Sequence, residues 1–302
     1  MRVLIMQEVS PAGLSELDGF ELVRGSDPAG CDGAVCYLVD RIDDAFLSTP
    51  GLRGLATVSV GLDHIDLAAA ERHAIPIAYT PDVLTEATAD LTFALILGAA
   101  RRMGEAERYL RDGHWTEWSF DLMLGTDVHG KTLGIIGPGR IGRAVARRAE
   151  GFGMRVLFAG RERAELDRLL AESDFVAVTV PLSDATHHLI GAAELAAMRQ
   201  GAILVNTSRG PVVDEQALAQ SLASGHLGGA GLDVFEHEPQ VHPELLACEN
   251  ALLVPHIGSA TRETRDAMAR TACRGLAQIL RGERPSNLAN PQVWPLEAGA
   301  TR

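Results

Sequence analysis

Three polar clusters in the second half of the chain carry residue types that can do chemistry together. They are residues 206–210 (NTSRG), 231–239 (GLDVFEHEP) and 255–259 (PHIGS), and a glycine-rich string, residues 137–142 (GPGRIG), precedes them. The clusters supply a guanidinium that can bind a carboxylate through two hydrogen bonds, acidic side chains, and an imidazole that can transfer a proton near neutral pH. These residue types suit the reduction of a 2-oxo acid.

Arg209 and His256 follow predicted strands, and ligands of open α/β sheets bind at the carboxyl ends of the strands. Arg209 can bind a 2-oxo-acid carboxylate and polarise the adjacent carbonyl, although a structural ion pair is its ordinary alternative. His256 can donate a proton to the carbonyl oxygen as hydride reaches the carbon, and accept it in the reverse oxidation. Glu236 or Glu238 can hold the imidazole and favour its charged form.

The glycine string lies between an apolar strand predicted at residues 133–136 and a helix predicted at 141–152. Gly137 permits a tight turn, Gly139 lets the backbone approach a pyrophosphate, and Gly142 allows close packing of the helix. The first helical residues, Arg140 and Ile141, would present N–H groups to the anion. A glycine turn without a ligand is the weaker interpretation, because the complete strand–turn–helix context is present.

The nature of the dinucleotide is predicted from the end of the next strand, residues 158–163 (FAGRER). Gly160 carries no carboxylate to repel a 2′-phosphate, and Arg161 and Arg163 can pair with one. NADP(H) is therefore the preferred cofactor, with NAD(H) possible. In the alternative interpretation, Glu162 is the acid that binds the NAD ribose and the arginines form a solvated turn.

Hydrophobic patterning predicts an α/β protein of two doubly wound parallel-sheet domains. Strands are predicted at residues 3–6, 34–37, 56–60, 76–79, 133–136, 155–158, 175–180, 202–206, 229–232 and 252–254. Helices are predicted at residues 65–72, 85–109, 141–152 and 262–280. Residues 1–98, completed by 285–302, form the predicted substrate-binding domain, since no glycine loop precedes residue 130. Residues 99–284 form the predicted dinucleotide-binding domain.

Composition excludes several classes of partner. The chain has 302 residues with 27 basic and 40 acidic side chains, a net charge of −13, which opposes binding to nucleic acid or anionic membranes. The longest apolar stretch, residues 91–100, is too short to span a bilayer. The four cysteines form no C-x-x-C pair, which favours reduced thiols and a cytoplasmic location. No metal-ligand set is visible, so none is expected.

The motifs resemble those of the D-isomer-specific 2-hydroxyacid dehydrogenases, and among them the glyoxylate/hydroxypyruvate reductases. The resemblance covers nearly the whole chain and includes residues 60–66 (VGLDHID) and 80–90 (TPDVLTEATAD). It implies a Rossmann cofactor domain inserted in a flavodoxin-like substrate domain. It also implies that Arg209 is the substrate arginine, His256 the catalytic acid/base, and Glu238, rather than Glu236, its carboxylate partner.

The resemblance implies further contacts. The backbone N–H groups of Val60 and Gly61 would bind the substrate carboxylate. Asp233 would accept a hydrogen bond from the nicotinamide amide, with a turn or cap aspartate as its alternative. The other residues expected to contact the cofactor are Thr207, Ser208, Val180, Pro181 and Ser259. A homodimer is implied, with residues 109–125 as its contact.

Two segments depart from the family pattern. Residues 160–174 are shorter by about a strand and a loop, which suggests a trimmed or open adenine pocket. In residues 115–125, the sequence DLML replaces a bulkier aromatic tip, which affects the expected substrate size.

The sequence therefore predicts an oxidoreductase that transfers hydride from NADPH to a small 2-oxo acid, glyoxylate or hydroxypyruvate first, giving the D-2-hydroxy acid. Glu238 argues against formate dehydrogenase, which resembles this family but pairs its histidine with glutamine. Two alternatives stay open. One is an NAD-dependent dehydrogenase of another 2-hydroxy acid, such as D-lactate, and the other is a nucleotide-sensing, co-repressor-like binding protein on the same fold.

Overall fold

The computed structural model describes residues 1–294. It divides into two compact units, Met1–Leu84 with the chain from Ser259 onward (unit 1), and Thr85–Gly258 (unit 2). The strands of the described part are β1 Arg2–Ile5, β2 Glu21–Arg24, β3 Gly33–Cys36, β4 Gly54–Thr57, β5 Ile77–Ala78, β6 Thr132–Ile136, β7 Arg155–Ala159, β8 Phe175–Val178, β9 Ile203–Asn206, β10 Gly229–Leu232 and β11 Ala251–Leu253. The α-helices are α1 Pro11–Leu14, α2 Asp44–Leu47, α3 Leu67–Arg72, α4 Thr85–Ala100, α5 Met103–Arg111, α6 Arg140–Glu150, α7 Arg163–Glu172, α8 Ala192–Ala197, α9 Glu215–Ala223, α10 Pro243–Leu246 and α11 Arg262–Arg281.

Unit 1 is built on a parallel five-stranded sheet with the order β2-β1-β3-β4-β5. Strands β3 and β4 are buried along their whole length, as expected for strands covered on both faces. Helix α11 packs on one face through Met268 and Leu276, and α2 and α3 cover the other through Leu47 and Ala70. This strand order is that of a flavodoxin-like doubly wound domain.

Unit 2 is built on a parallel six-stranded sheet with the order β11-β10-β9-β8-β6-β7. Helices α4 and α6 cover one face, and α7, α8 and α9 cover the other. The chain leaves β6 for β7 on one side and continues to β8 on the other, so the strand order reverses between β6 and β8. In Rossmann-type sheets the dinucleotide binds at such a reversal.

The division of the chain differs from the predicted domain boundaries after residues 98 and 284. Helix α4 belongs to unit 2 because it packs on α6, β9 and β10, and α11 belongs to unit 1 because it packs on α1, β3 and β4. The helix predicted at residues 85–109 is two helices, since Arg102 adopts a left-handed conformation with φ 52° between α4 and α5. The predicted closing segment 285–302 lies partly outside the described residues.

Strand β2 was not predicted, and neither were helices α1, α2, α7, α8, α9 and α10. Strand β2 is an edge strand whose residues are mostly exposed, so it lacks the apolar signal of the buried strands. Helix α7 buries Leu166, Leu169 and Leu170 against the sheet of unit 2. It follows β7 after only three residues, which accounts for the short segment noted in the sequence.

The remaining predictions concern cysteines, membranes and metals. Cys31, Cys36 and Cys273 are free and buried, and Cys248 is free and half-buried. Within residues 1–294, no helix combines the length and apolar character needed to cross a membrane. The same residues contain no group of three or more His, Cys, Asp or Glu side chains arranged to hold a metal ion.

Candidate active site

The loop that follows β9 carries Arg209 and is organised by a buried asparagine. Asn206, which is 1% exposed, accepts hydrogen bonds at Oδ1 from the backbone N–H and the hydroxyl of Ser208. Its Nδ2 donates to the carbonyl oxygen of Arg209 at 2.9 Å. The hydroxyl of Thr207 is 2.7 Å from that of Thr92 on α4. Asn206 was not predicted as a site residue, although an asparagine directly after a strand is a known turn signal.

His256 and Glu238 lie together. His256 Nδ1 is 2.7 Å from Glu238 Oε2, and Glu238 Oε1 accepts the backbone N–H of Phe235 at 3.0 Å. Burial raises the pKa of Glu238, but the hydrogen bond and charge of His256, the Phe235 N–H and the charge of Arg209 outweigh it, so the net pKa is lowered. The pair therefore favours an ionised carboxylate that orients the imidazole.

Asp233 fixes the loop that carries His256. Its side-chain oxygens accept the backbone N–H groups of Ile257 at 2.6 Å and Gly258 at 2.8 Å, and its carbonyl accepts the N–H of His256. His256 has φ 50°, a left-handed conformation that is uncommon for histidine and is held here by these bonds. Burial raises the pKa of Asp233, and the two N–H groups partly oppose that rise. The carboxylate thus holds a turn, and its contact with the nicotinamide amide stays a prediction.

Glu236, the competing partner for His256, lies in a different network. It exchanges hydrogen bonds with Glu215 at the start of α9: Glu215 N–H donates to Glu236 Oε1 at 2.8 Å, and Glu236 N–H donates to Glu215 Oε1 at 2.7 Å. Its other oxygen is 3.2 Å from His188 Nε2. Gly210 packs so tightly here that a Cβ atom would lie 1.8 Å from the carbonyl carbon of Phe235. The Arg209 loop and the Glu238 loop are therefore locked together through backbone.

The glycine string has the geometry that a dinucleotide pyrophosphate requires. Gly137 has φ +100°, and a Cβ on Gly142 would lie 2.3 Å from the carbonyl oxygen of Gly137. No side chain caps the start of α6 at Gly139, and a Cβ there would meet nothing within 4 Å. Arg140 and Ile141 form the first turn of this helix. The backbone at the helix start is thus suited to an anion.

The neighbouring loop after β8 closes this crevice. A Cβ on Gly137 would lie 2.8 Å from Val180 Cγ1, so Val180 borders the glycine string, and its contact with the cofactor stays a prediction. Thr179 was not predicted, yet its hydroxyl donates to the carbonyls of Ile136 and Gly137 and ties the β6 and β8 loops together. Pro181 is exposed beside them.

The end of β7 is arranged differently from the prediction. Arg163 pairs with Asp167 and Glu194, each at 2.7 Å, so both of its sides are engaged by carboxylates. Gly160 N–H donates to Glu165 Oε2 at 2.9 Å. Arg161 is exposed, and Glu162 is exposed at the N-cap position of α7 without a side-chain capping bond. Glu165 was not predicted as a site residue, because its contact arises only from the early start of α7.

Val60, Gly61 and Ser259 belong to unit 1. Val60 and Gly61 are half-buried in the loop after β4. Ser59 Oγ donates to the carbonyl of Gly61 at 2.8 Å and is 2.7 Å from Thr57 Oγ1, so buried hydroxyls shape this loop. Unit 2 presents the predicted dimer segment with three aromatic side chains that are 55–83% exposed, Trp115, Trp118 and Phe120.

Unit 2 alone therefore combines a crevice shaped for a dinucleotide with an imidazole–carboxylate pair and a neighbouring guanidinium. Such a combination defines an NAD(P)-dependent oxidoreductase, since the nucleotide supplies hydride chemistry and the side chains supply binding and proton transfer.

Comparisons with known proteins agree with that class. A profile of the D-isomer specific 2-hydroxyacid dehydrogenase, NAD binding domain, matches residues 93–258. A glyoxylate reductase of Korarchaeum cryptofilum is 47% identical over 321 residues, covering 97% of this chain and 96% of the relative. The chain belongs to the D-isomer specific 2-hydroxyacid dehydrogenase family.

Two solved structures illustrate the range of the family. An NADPH-dependent glyoxylate/hydroxypyruvate reductase from Sinorhizobium meliloti, in complex with NADP and malonate, matches with a TM-score of 0.89 and 32% identity, covering 98% of this chain and 99% of that one. D-Lactate dehydrogenase from Aquifex aeolicus, complexed with NAD and lactic acid, matches with a TM-score of 0.84 and 29% identity, covering 97% of this chain and 100% of that one. These neighbours support use of NAD(P).

Proposed function

We propose that this enzyme reduces small 2-oxo acids of the glyoxylate and hydroxypyruvate type to D-2-hydroxy acids. The observation that carries the proposal is the 2.7 Å pairing of His256 Nδ1 with Glu238, close enough to Arg209 for its charge to lower the pKa of that carboxyl. The names of the reductase relatives favour this substrate class over other 2-hydroxy acids.

A nicotinamide dinucleotide held at the glycine string, residues 137–142, would supply the hydride that the carbonyl carbon of the substrate accepts. Arg209 binds the substrate carboxylate and polarises the carbonyl. His256 keeps Nδ1 on Glu238, so its Nε2 is the atom that gives a proton to the carbonyl oxygen. The backbone N–H groups of Val60 and Gly61 contribute to carboxylate binding, a role in which side-chain identity matters little.

We propose that the enzyme prefers NADP(H) and that Arg161 binds the 2′-phosphate, because Arg163 already contacts Asp167 and Glu194.

We also propose a homodimer formed through the exposed aromatic residues Trp115, Trp118 and Phe120, since exposed aromatic clusters are common in interfaces. A cytoplasmic location remains the prediction from the cysteine pattern.

The test is oxidation of NADPH and NADH, followed with glyoxylate, hydroxypyruvate and pyruvate. We expect turnover with at least the first two, and a loss on the order of 1,000-fold in kcat/KM for His256→Gln, because general acid catalysis is removed. His237→Gln, a change at a nearby exposed histidine, is the matched control and should leave the rate unchanged.

If the chain is instead a nucleotide-sensing binding protein, the opposite result of this assay is expected. It predicts binding of NADH or NADPH without turnover of any 2-oxo acid. That result would overturn the proposed reaction while leaving the nucleotide site intact.

A further inference from the structure

We propose that Glu165 is a cofactor-specificity residue that takes the place of the missing strand-end acid, accepting a hydrogen bond from the ribose 2′-hydroxyl of NADH and repelling the 2′-phosphate of NADPH. The inference rests on the proposed function, in that it concerns the dinucleotide this enzyme uses. Helix α7 would thus supply the acid that is usually expected at the end of β7 to bind the ribose.

Glu165 lies at the end of β7, where the acid that binds the ribose is expected. Gly160 is the residue after β7, where an acid would contact the ribose if one were present. Glu165 Oε2 accepts the Gly160 N–H at 2.9 Å and lies 3.5 Å from the point where a Cβ of residue 160 would stand. A carboxylate oxygen is thus delivered to the strand end from a different part of the chain.

The connection between β7 and β8 explains how Glu165 reaches the end of β7. Strand β7 is at the edge of the six-stranded sheet, and the chain returns directly through α7 to β8. Helix α7 begins at Arg163, so its first turn places Glu165 back over Gly160. The shortened connection that departs from the family pattern is therefore what creates the contact.

Several charged side chains surround the end of β7. Arg163, which was expected to attract a 2′-phosphate, is held by Asp167 and Glu194 at 2.7 Å each. Glu165 and Gly160 are both exposed, so a ligand can reach the carboxylate. Arg161 would then attract a 2′-phosphate and carry the proposed preference for NADP(H), whereas Glu165 would oppose the phosphate and limit that preference.

The negative charges of Glu165 and a 2′-phosphate would repel each other, but solvent screens this repulsion because the groups are exposed. We therefore expect a moderate effect, about tenfold on the dissociation constant of NADPH, rather than the large effect of a buried pair. A 2′-hydroxyl can donate to the carboxylate, so NADH should gain where NADPH loses.

The experiment measures equilibrium binding of NADH and NADPH to the full chain by calorimetry, together with 2′,5′-ADP and 5′-ADP, which differ in the 2′-phosphate. Glu165→Gln keeps an oxygen for the Gly160 N–H and removes the charge. We expect the variant to bind NADPH and 2′,5′-ADP about tenfold more tightly, and to bind NADH and 5′-ADP a few-fold more weakly because both carry the free 2′-hydroxyl.

Glu162→Gln is the matched control, because it removes an equal charge three residues away and tests the sequence-based alternative. Its ratio of NADPH to NADH affinity should stay within about twofold of the wild-type ratio. If Glu165→Gln leaves the ratio unchanged, or Glu162→Gln shifts it more, the inference is wrong. If wild-type protein turns over 2-oxo acids in that case, the proposed function survives alone; if wild-type protein binds neither dinucleotide, both fail.

Discussion

The catalytic loops and the end of β7 are both strand-end regions of unit 2, but they are held in different ways. Around Arg209, Glu238 and His256 the loops are fixed by buried groups and by backbone, as with Asp233, which is 1% exposed. At the end of β7 exposed, charged side chains contact one another or the backbone N–H of Gly160. Buried groups and backbone packing therefore hold the catalytic loops, whereas the proposed cofactor discrimination would depend on a few exposed charges.

After His256→Gln, replacement of Glu238 should have the largest effect on activity. Glu238→Gln removes the charge that orients and stabilises the protonated imidazole of His256, so we expect kcat/KM to fall on the order of 100-fold, with a smaller change in KM. Steady-state kinetics on glyoxylate measure the loss. Glu244→Gln, at an exposed carboxylate, is the control. Equal rates for Glu238→Gln and wild type would show that the pair is not catalytic.

Gly210→Ala should break the packing between the Arg209 and Glu238 loops. The added Cβ would lie 1.8 Å from Phe235 C and 2.3 Å from Glu236 N, so backbone must move, and we expect a loss of about 2 kcal/mol in the free energy of unfolding. Gly139→Ala is the matched control, since its Cβ would meet nothing within 4 Å. Denaturant unfolding of both variants compares them, and similar midpoints would contradict the locking of the loops.

Features that depend on local sequence signals could be predicted, whereas contacts between distant residues could not. Buried strands and the glycine string were predicted because apolar runs and strand–turn–helix context are local signals, and the two doubly wound sheets are confirmed. Glu215 bonds to Glu236 and Asp233 to Ile257, and these residues are 21 and 24 positions apart in the chain, so no local pattern indicated the contacts. Asn206 bonds to Arg209, three residues away, and the signal for it was its place directly after a strand. Glu165 was missed for a related reason: its contact follows from where α7 begins.

The pH dependence of stability should separate the Glu238 pair from an exposed carboxylate. Its pKa is lowered in the folded protein from the ordinary value of 4.5, so the folded state binds the proton less readily than the unfolded state. The stabilisation is fully present above pH 4.5 and is lost as pH falls through the lowered pKa. Urea unfolding between pH 7 and pH 3 should show a smaller decline for Glu238→Gln than for wild type, and parallel curves would contradict the shift.

The smallest expected effect is at Arg163, and it tests the exposed side of the comparison. The sequence predicted that Arg163 pairs with a 2′-phosphate, but its guanidinium contacts Asp167 and Glu194, and its side chain is 61% exposed. Exposed pairs of this kind contribute about 0–1 kcal/mol, so Arg163→Ala should lower the free energy of unfolding by less than about 1 kcal/mol. It should also weaken NADPH binding less than Arg161→Ala does, as measured by calorimetry. A larger loss of NADPH affinity in Arg163→Ala than in Arg161→Ala would mean that the Arg163 guanidinium leaves Asp167 and Glu194 to bind the phosphate, because these two carboxylates otherwise compensate its charge.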